Sequence, residues 1–145
     1  MKPRLCRYFS SVKIGDADLI IEELVFTGNE EYWIFLRWLN STDMSSDSSS
    51  LNHLISIFER GEVRVFSNNS GESVRRVGED YLFRTSEFDE QGELLMSEST
   101  VLEFLHNALA LIVRYERNEG TILELEAVPD TDSLYGYTKY EFIPH

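Results

Sequence analysis

TVLEFLHNALALIVRYERNEGTILELEAV, residues 100–128, is the stretch whose reading decides the fold. Val101, Leu102, Phe104, Leu105, Ala108, Leu109, Leu111, Ile112 and Val113 recur at helical spacing and circle much of a helix running from Val101 to Asn118. Apolar residues on so much of the circumference imply burial against a sheet, not a thin amphipathic stripe. Thr100 and Glu103 have the spacing of a capping box, and Gly120 stands where a left-handed residue ends a helix. The period then switches from 3.6 to 2. Leu123, Leu125 and Ala127 alternate with Glu124 and Glu126, the pattern of a half-exposed strand over Thr121–Val128.

Outward from this unit, Pro129 to Ser133 reads as a turn, and Leu134 to Ile143 as the returning strand. A regular hairpin sets Val128 opposite Leu134. Tyr135 and Tyr137 then share the apolar face, while Glu124, Glu126, Thr138 and Tyr140 face outward. On the other side, Leu5–Ile14 and Leu19–Thr27 read as strands joined at Gly15-Asp16. Tyr32–Leu39 alternates sufficiently to predict a third strand of an antiparallel meander, although a helix also fits it. Ser41–Ser50 is serine-rich and reads as a loop with nothing to pack. Leu51, Leu54, Ile55 and Phe58 fit one helical face, giving a short helix over about 51–60, capped by Ser50 and ended by Gly61. The competing reading makes this stretch a strand turning at Arg60-Gly61. Residues 62–67 and 72–77 form a hairpin about Asn68-Asn69-Ser70-Gly71, and Tyr81–Phe88 adds a strand. The order predicts an α+β fold, a mostly antiparallel sheet packed by one long helix and one short one, in a single domain spanning 1–145.

The chain has 145 residues, the size of one domain with one core. Hydrophobic residues make up 42% and aromatics 12%, too much for intrinsic disorder. A single cysteine, Cys6, excludes an intramolecular disulfide and suits a reducing compartment. Met1–Arg7 is basic but lacks the apolar stretch of a signal peptide, and Phe104–Val113 is too short to cross a membrane. A cytoplasmic location is expected, and the sequons at Asn40-Ser41-Thr42 and Asn68-Asn69-Ser70 read as chance.

Charge narrows the partners. Thirteen Lys and Arg face 26 Asp and Glu, a formal charge of −13. Nucleic acid and acidic membrane surfaces are disfavoured by such a field, whereas a basic protein is attracted. The plain alternative is that the acidity serves solubility. The surplus is uneven: the segment 14–59 has nine acids against Arg37, and 85–145 has thirteen acids against Arg114, Arg117 and Lys139.

No motif of catalysis or metal binding emerges, and neither cofactor nor enzymatic activity is expected. One cysteine with His53, His106 and His145 offers no ligand spacing for zinc. Glu103-x-x-His106 is half of a di-iron helix motif without its second copy. Asp130-x-Asp132 and Asp16-x-Asp18 start like calcium loops but lack the glycine and the distal glutamate. Gly-rich phosphate loops and the nucleophile elbow are missing.

A surface argument is left. Glu124, Glu126, Asp130, Asp132 and Tyr140 make a candidate partner-binding patch on the last hairpin, carboxylates beside an aromatic anchor. In size, acidity and freedom from catalytic motifs the chain resembles the small cytoplasmic immunity proteins of bacterial toxin–immunity pairs, including those of contact-dependent growth inhibition. That resemblance implies tight neutralisation of a cognate, basic, nuclease-like toxin. No signature residue carries it, so no residue role is transferred. A small-molecule or enzymatic domain with a pocket between sheet and helix is the alternative. A nucleic-acid mimic ranks behind both, because Arg75-Arg76 and the basic first segment interrupt a uniformly acidic surface.

Overall fold

Six rings from four elements set the core. The computed structural model describes residues 3–15, 17–61, 65–67, 71–85, 92–129 and 136–145. Among these residues three α-helices, α1 (Trp33–Ser41), α2 (Ser48–Glu59) and α3 (Glu98–Glu116), accompany two four-stranded antiparallel sheets. Sheet A holds β1 (Arg4–Ile14), β2 (Ala17–Thr27), β7 (Gly120–Val128) and β8 (Tyr137–Pro144) in the order β2-β1-β8-β7. Sheet B holds β3 (Val65–Ser67), β4 (Ser73–Val77), β5 (Asp80–Arg84) and β6 (Glu93–Ser97) in sequential order. The α+β class is as the sequence predicts, with two sheets in place of one.

Trp33–Ser41 is a helix, not the expected strand. Apolar residues at nearly every position left its period ambiguous; burial of Ile34, Phe35, Trp38 and Leu39 with Arg37 outward is the helical solution. Phe35 and Trp38 meet Phe83 at 5.0 and 5.4 Å between ring centres. Phe104 packs edge-on to Phe35 at 5.1 Å, and Phe58 to Tyr81 at 4.8 Å. Edge-to-face rings like these add directional attraction to the area they bury. The core thus lies between the helices and sheet B.

The serine-rich stretch is also structured. Thr42 and Ser45 are buried, and both hydroxyls donate to the Leu39 carbonyl at 2.9 Å, closing the end of α1. Asp47, not Ser50, caps α2, its carboxylate accepting from the Ser50 amide at 2.7 Å. The helical reading of 51–60 holds, and Leu51, Leu54, Ile55 and Phe58 are its buried face. Glu72, the one buried carboxylate among the described residues, accepts from Arg37 Nε at 2.9 Å.

α3 begins three residues before the expected start. Ser97 is its cap, accepting from the Thr100 amide at 3.2 Å, so Thr100 and Glu103 do not form the capping box. The left-handed residue beyond its end is Asn118 (φ 56°), and Gly120 already belongs to β7. Gly120 is required for a different reason: a Cβ there would overlap the Phe142 ring and the Ile143 carbonyl. β6, to which the sequence pattern assigned no element, runs straight into α3.

α3 also joins sheet A. Leu5, Phe26 and Phe142 share one register row and are all buried, with Tyr115 edge-on to Phe142 at 5.4 Å. The β1–β2 turn carries Gly15 at φ +64°, a left-handed position that suits glycine. β1 pairs with β8 only from Leu5 to Ser10, so the remainder of the β1–β2 hairpin extends past the four-stranded sheet.

Candidate functional site

Pairing register decides where the candidate binding residues stand. β7 and β8 pair Ile122 with Phe142, Leu123 with Glu141 and Glu124 with Tyr140. A bulge follows, after which Glu126 pairs with Lys139, Ala127 with Thr138 and Val128 with Tyr137. The extra residue, Leu125, inverts the alternation. Glu124 and Tyr140 share the face of Phe142, the face against which α3 packs. Glu126 lies on the opposite face with Lys139, Tyr8 and Glu23. The expected patch is therefore divided between two faces, and Tyr140 is half-buried, not directed outward. Asp130 and Asp132 lie outside the described residues, as do Leu134 and Tyr135; the partner of Val128 is Tyr137, not Leu134.

The strand is also more open than its pattern suggested. Every residue from Thr121 to Ala127 is exposed, including the leucines expected to face a core. Ile122, Leu123 and Leu125 retain 45%, 48% and 45% of their exposure. Their strand is an edge of sheet A, whereas α3 packs on β1 and β8 of the same sheet. On the β1–β2 hairpin, Leu19 and Ile20 are 48% and 70% exposed. These apolar side chains were missed in the sequence, because alternation identifies a strand but not whether anything covers it.

Arg4, Arg7 and Lys139 of sheet A are already engaged. Arg4 pairs with Glu141 and holds its carboxyl below the usual range, chiefly through a direct hydrogen bond. Arg7 pairs with Glu22 at 2.7 Å and stacks over Phe9 at 4.7 Å, with Tyr115 5.7 Å away. The Lys139 ammonium lies 5.5 Å from the centre of the Tyr8 ring, its pKa is raised chiefly by its interaction with Tyr8, and Tyr137 lies 6.0 Å from Tyr8. By contrast, Glu23, Glu124 and Glu126 enter none of the ion pairs among the described residues. The surface of sheet A therefore presents unpaired carboxylates beside exposed aliphatic side chains.

Its two edges differ. The Asn40 side chain, from α1, accepts from the Phe26 amide and donates to the Phe26 carbonyl, both at 2.8 Å. The carboxamide acts as a one-residue strand partner and occupies the β2 edge at that point. At β7, the His145 amide donates to the Glu119 carbonyl at 2.9 Å, and the His145 ring meets the Thr121 hydroxyl. The beginning of β7 is thus pinned, and its pairing further on is with β8 alone among the described residues.

Among the described residues, open clefts lie both beside sheet A and beside sheet B. One of about 410 Å³ is lined by Phe9, Ile20, Val128 and Tyr137. A second, of about 440 Å³, lies between β2, the end of α1 and Tyr115, with Glu22, Glu23 and Asn40 among its walls. A third, of about 540 Å³, surrounds Arg76, Asp80 and Glu98, where Arg76 is held by Glu98 at 2.7 Å and by the Tyr81 hydroxyl at 2.6 Å. Among the described residues no group of three His, Cys, Asp or Glu side chains is arranged to hold a metal. His106 bonds Glu59 at 2.9 Å between α3 and α2, and Cys6 is buried beside the Thr27 hydroxyl. Among the described residues no helix is long and apolar enough to cross a membrane. No protein-family model, no curated protein and no solved structure matches the chain.

Proposed function

We propose that this chain is a non-catalytic binding protein of the inhibitor or immunity type, which masks a basic protein such as a nuclease-like toxin. One observation carries the reading: on sheet A, carboxylates without ion pairs stand beside exposed Ile and Leu side chains, while Arg4, Arg7 and Lys139 are taken up internally. Apolar contact supplies affinity, and unpaired acids supply steering and choice of partner. A chain of formal charge −13 raises the encounter rate with a cation-bearing surface and repels phosphate.

The test is capture on the immobilised full-length chain at low salt from a lysate of the source organism, followed by mass spectrometry and binding kinetics. The expected result is one basic protein whose association slows as salt rises and which is lost on charge reversal (E23K with E124K and E126K). Empty capture, or a partner indifferent to salt and to charge reversal, overturns the reading. A small-molecule site ranks second, on the strength of the cleft between β2, α1 and Tyr115. Its mark is a low-molecular-weight ligand that co-purifies with the chain and is displaced when Tyr115 is truncated.

A further inference from the structure

We infer that β7 is the docking edge, and that it takes up an extended basic segment of the partner as a fifth strand of sheet A. The inference rests on the binding-protein reading above and specifies its mode.

Four sheet edges exist among the described residues, and three are poorly suited. β3 has three residues and β6 has five, each too short for a continuous ladder of useful length. β2 is longer, but Asn40 from α1 already satisfies Phe26 on its outer side. β7 has nine residues, pairs on one side with β8, and is exposed on both faces from Thr121 to Ala127. Its beginning is fixed by the Phe142 contact of Gly120 and the bond from His145 to Glu119. An added strand gains main-chain hydrogen bonds without rearranging the sheet.

The side chains specify what pairs with it. Ile122 and Leu123 expose apolar surface to opposite faces, and Glu124 and Glu126 then present unpaired carboxylates to opposite faces across the bulge. The complementary segment has two adjacent apolar residues followed or preceded by two adjacent Lys or Arg. Carboxylates and a bulge are the usual means of blunting an edge against its own kind. Here they discriminate: a second copy would bring its own Glu124 and Glu126 to the seam, on chains each of formal charge −13, whereas a basic strand neutralises both.

The experiment uses the full chain, isotopically labelled, with nine-residue peptides carrying two valines beside two lysines in either order. Amide exchange and chemical shifts report the site. The expected result is protection concentrated in β7, lost when alternate backbone nitrogens of the peptide are methylated. E124Q with E126Q should weaken binding by on the order of tenfold at low salt, while the folded spectrum is unchanged because both side chains are exposed. Equal binding by the methylated peptide, or protection confined to other elements, overturns strand addition. If the captured basic protein still binds in that case, the edge assignment fails and the binding-protein reading stands. If neither peptide nor protein binds, both fail.

Discussion

Asn40→Ala removes a device that can be priced from the structure. The carboxamide makes two bonds of 2.8 Å to the amide and carbonyl of Phe26, a residue 1% exposed. Each neutral hydrogen bond contributes about 1 kcal/mol net, and a buried group left unpaired costs more than the bond alone. A loss of about 2–3 kcal/mol follows. For a domain of this size, with a urea slope of about 1–3 kcal/mol/M, the midpoint should fall on the order of 1 M or more. Equilibrium urea unfolding followed by tryptophan fluorescence is a suitable assay, because Trp38 lies at the centre of the core. Ser41→Ala is the neighbouring control. Its hydroxyl bonds the Arg37 carbonyl within the same helix and is exposed, so its midpoint should barely move. Asn40→Asp keeps the acceptor for the Phe26 amide but places a carboxylate oxygen against the Phe26 carbonyl, and should fall between the two. If Asn40→Ala shifts the midpoint no more than the serine control does, the carboxamide does not hold the β2 edge. The contrast between a closed β2 and an open β7 would then be lost.

Gly120→Ala should cost about 1–3 kcal/mol, since the added methyl meets the Phe142 ring and a carbonyl of the neighbouring strand; accelerated amide exchange localised to β7 and β8 is the signature, and unchanged exchange would show that the contact relaxes freely. The Arg4–Glu141 pair predicts an acid limb. Arg4 lowers the Glu141 pKa in the folded state, so its stabilisation is present above the ordinary carboxylate range of about 4 and is lost as pH falls through the lowered folded value. Arg4→Ala should remove that part of the pH dependence and leave the neutral-pH slope intact; urea midpoints between pH 2 and 7 decide it, and identical acid limbs would refute the assignment.

Much of the local structure was legible because it follows from the chain's own chemistry. The β1–β2 hairpin, α2, the 65–77 hairpin, α3 and the β7–β8 pair all carry periodicity or turn residues that act over a few positions. α1 was misread because Ile34, Phe35, Leu36, Trp38 and Leu39 fill both periods, and only the rings of Phe83, Phe104 and Phe58 on other elements select the helix. The acid surplus was equally plain from composition. What the acids face was not, since Glu124 and Glu126 are separated by a one-residue bulge whose position depends on how β8 seats between β1 and β7. Burial is likewise a property of neighbours: the alternation over Thr121–Val128 is the same whether a helix covers one face or none. The sequence by itself determined the elements and the net charge. Only the tertiary structure decided which strand is left at an edge, because edges, clefts and paired charges arise from contacts between residues far apart along the chain.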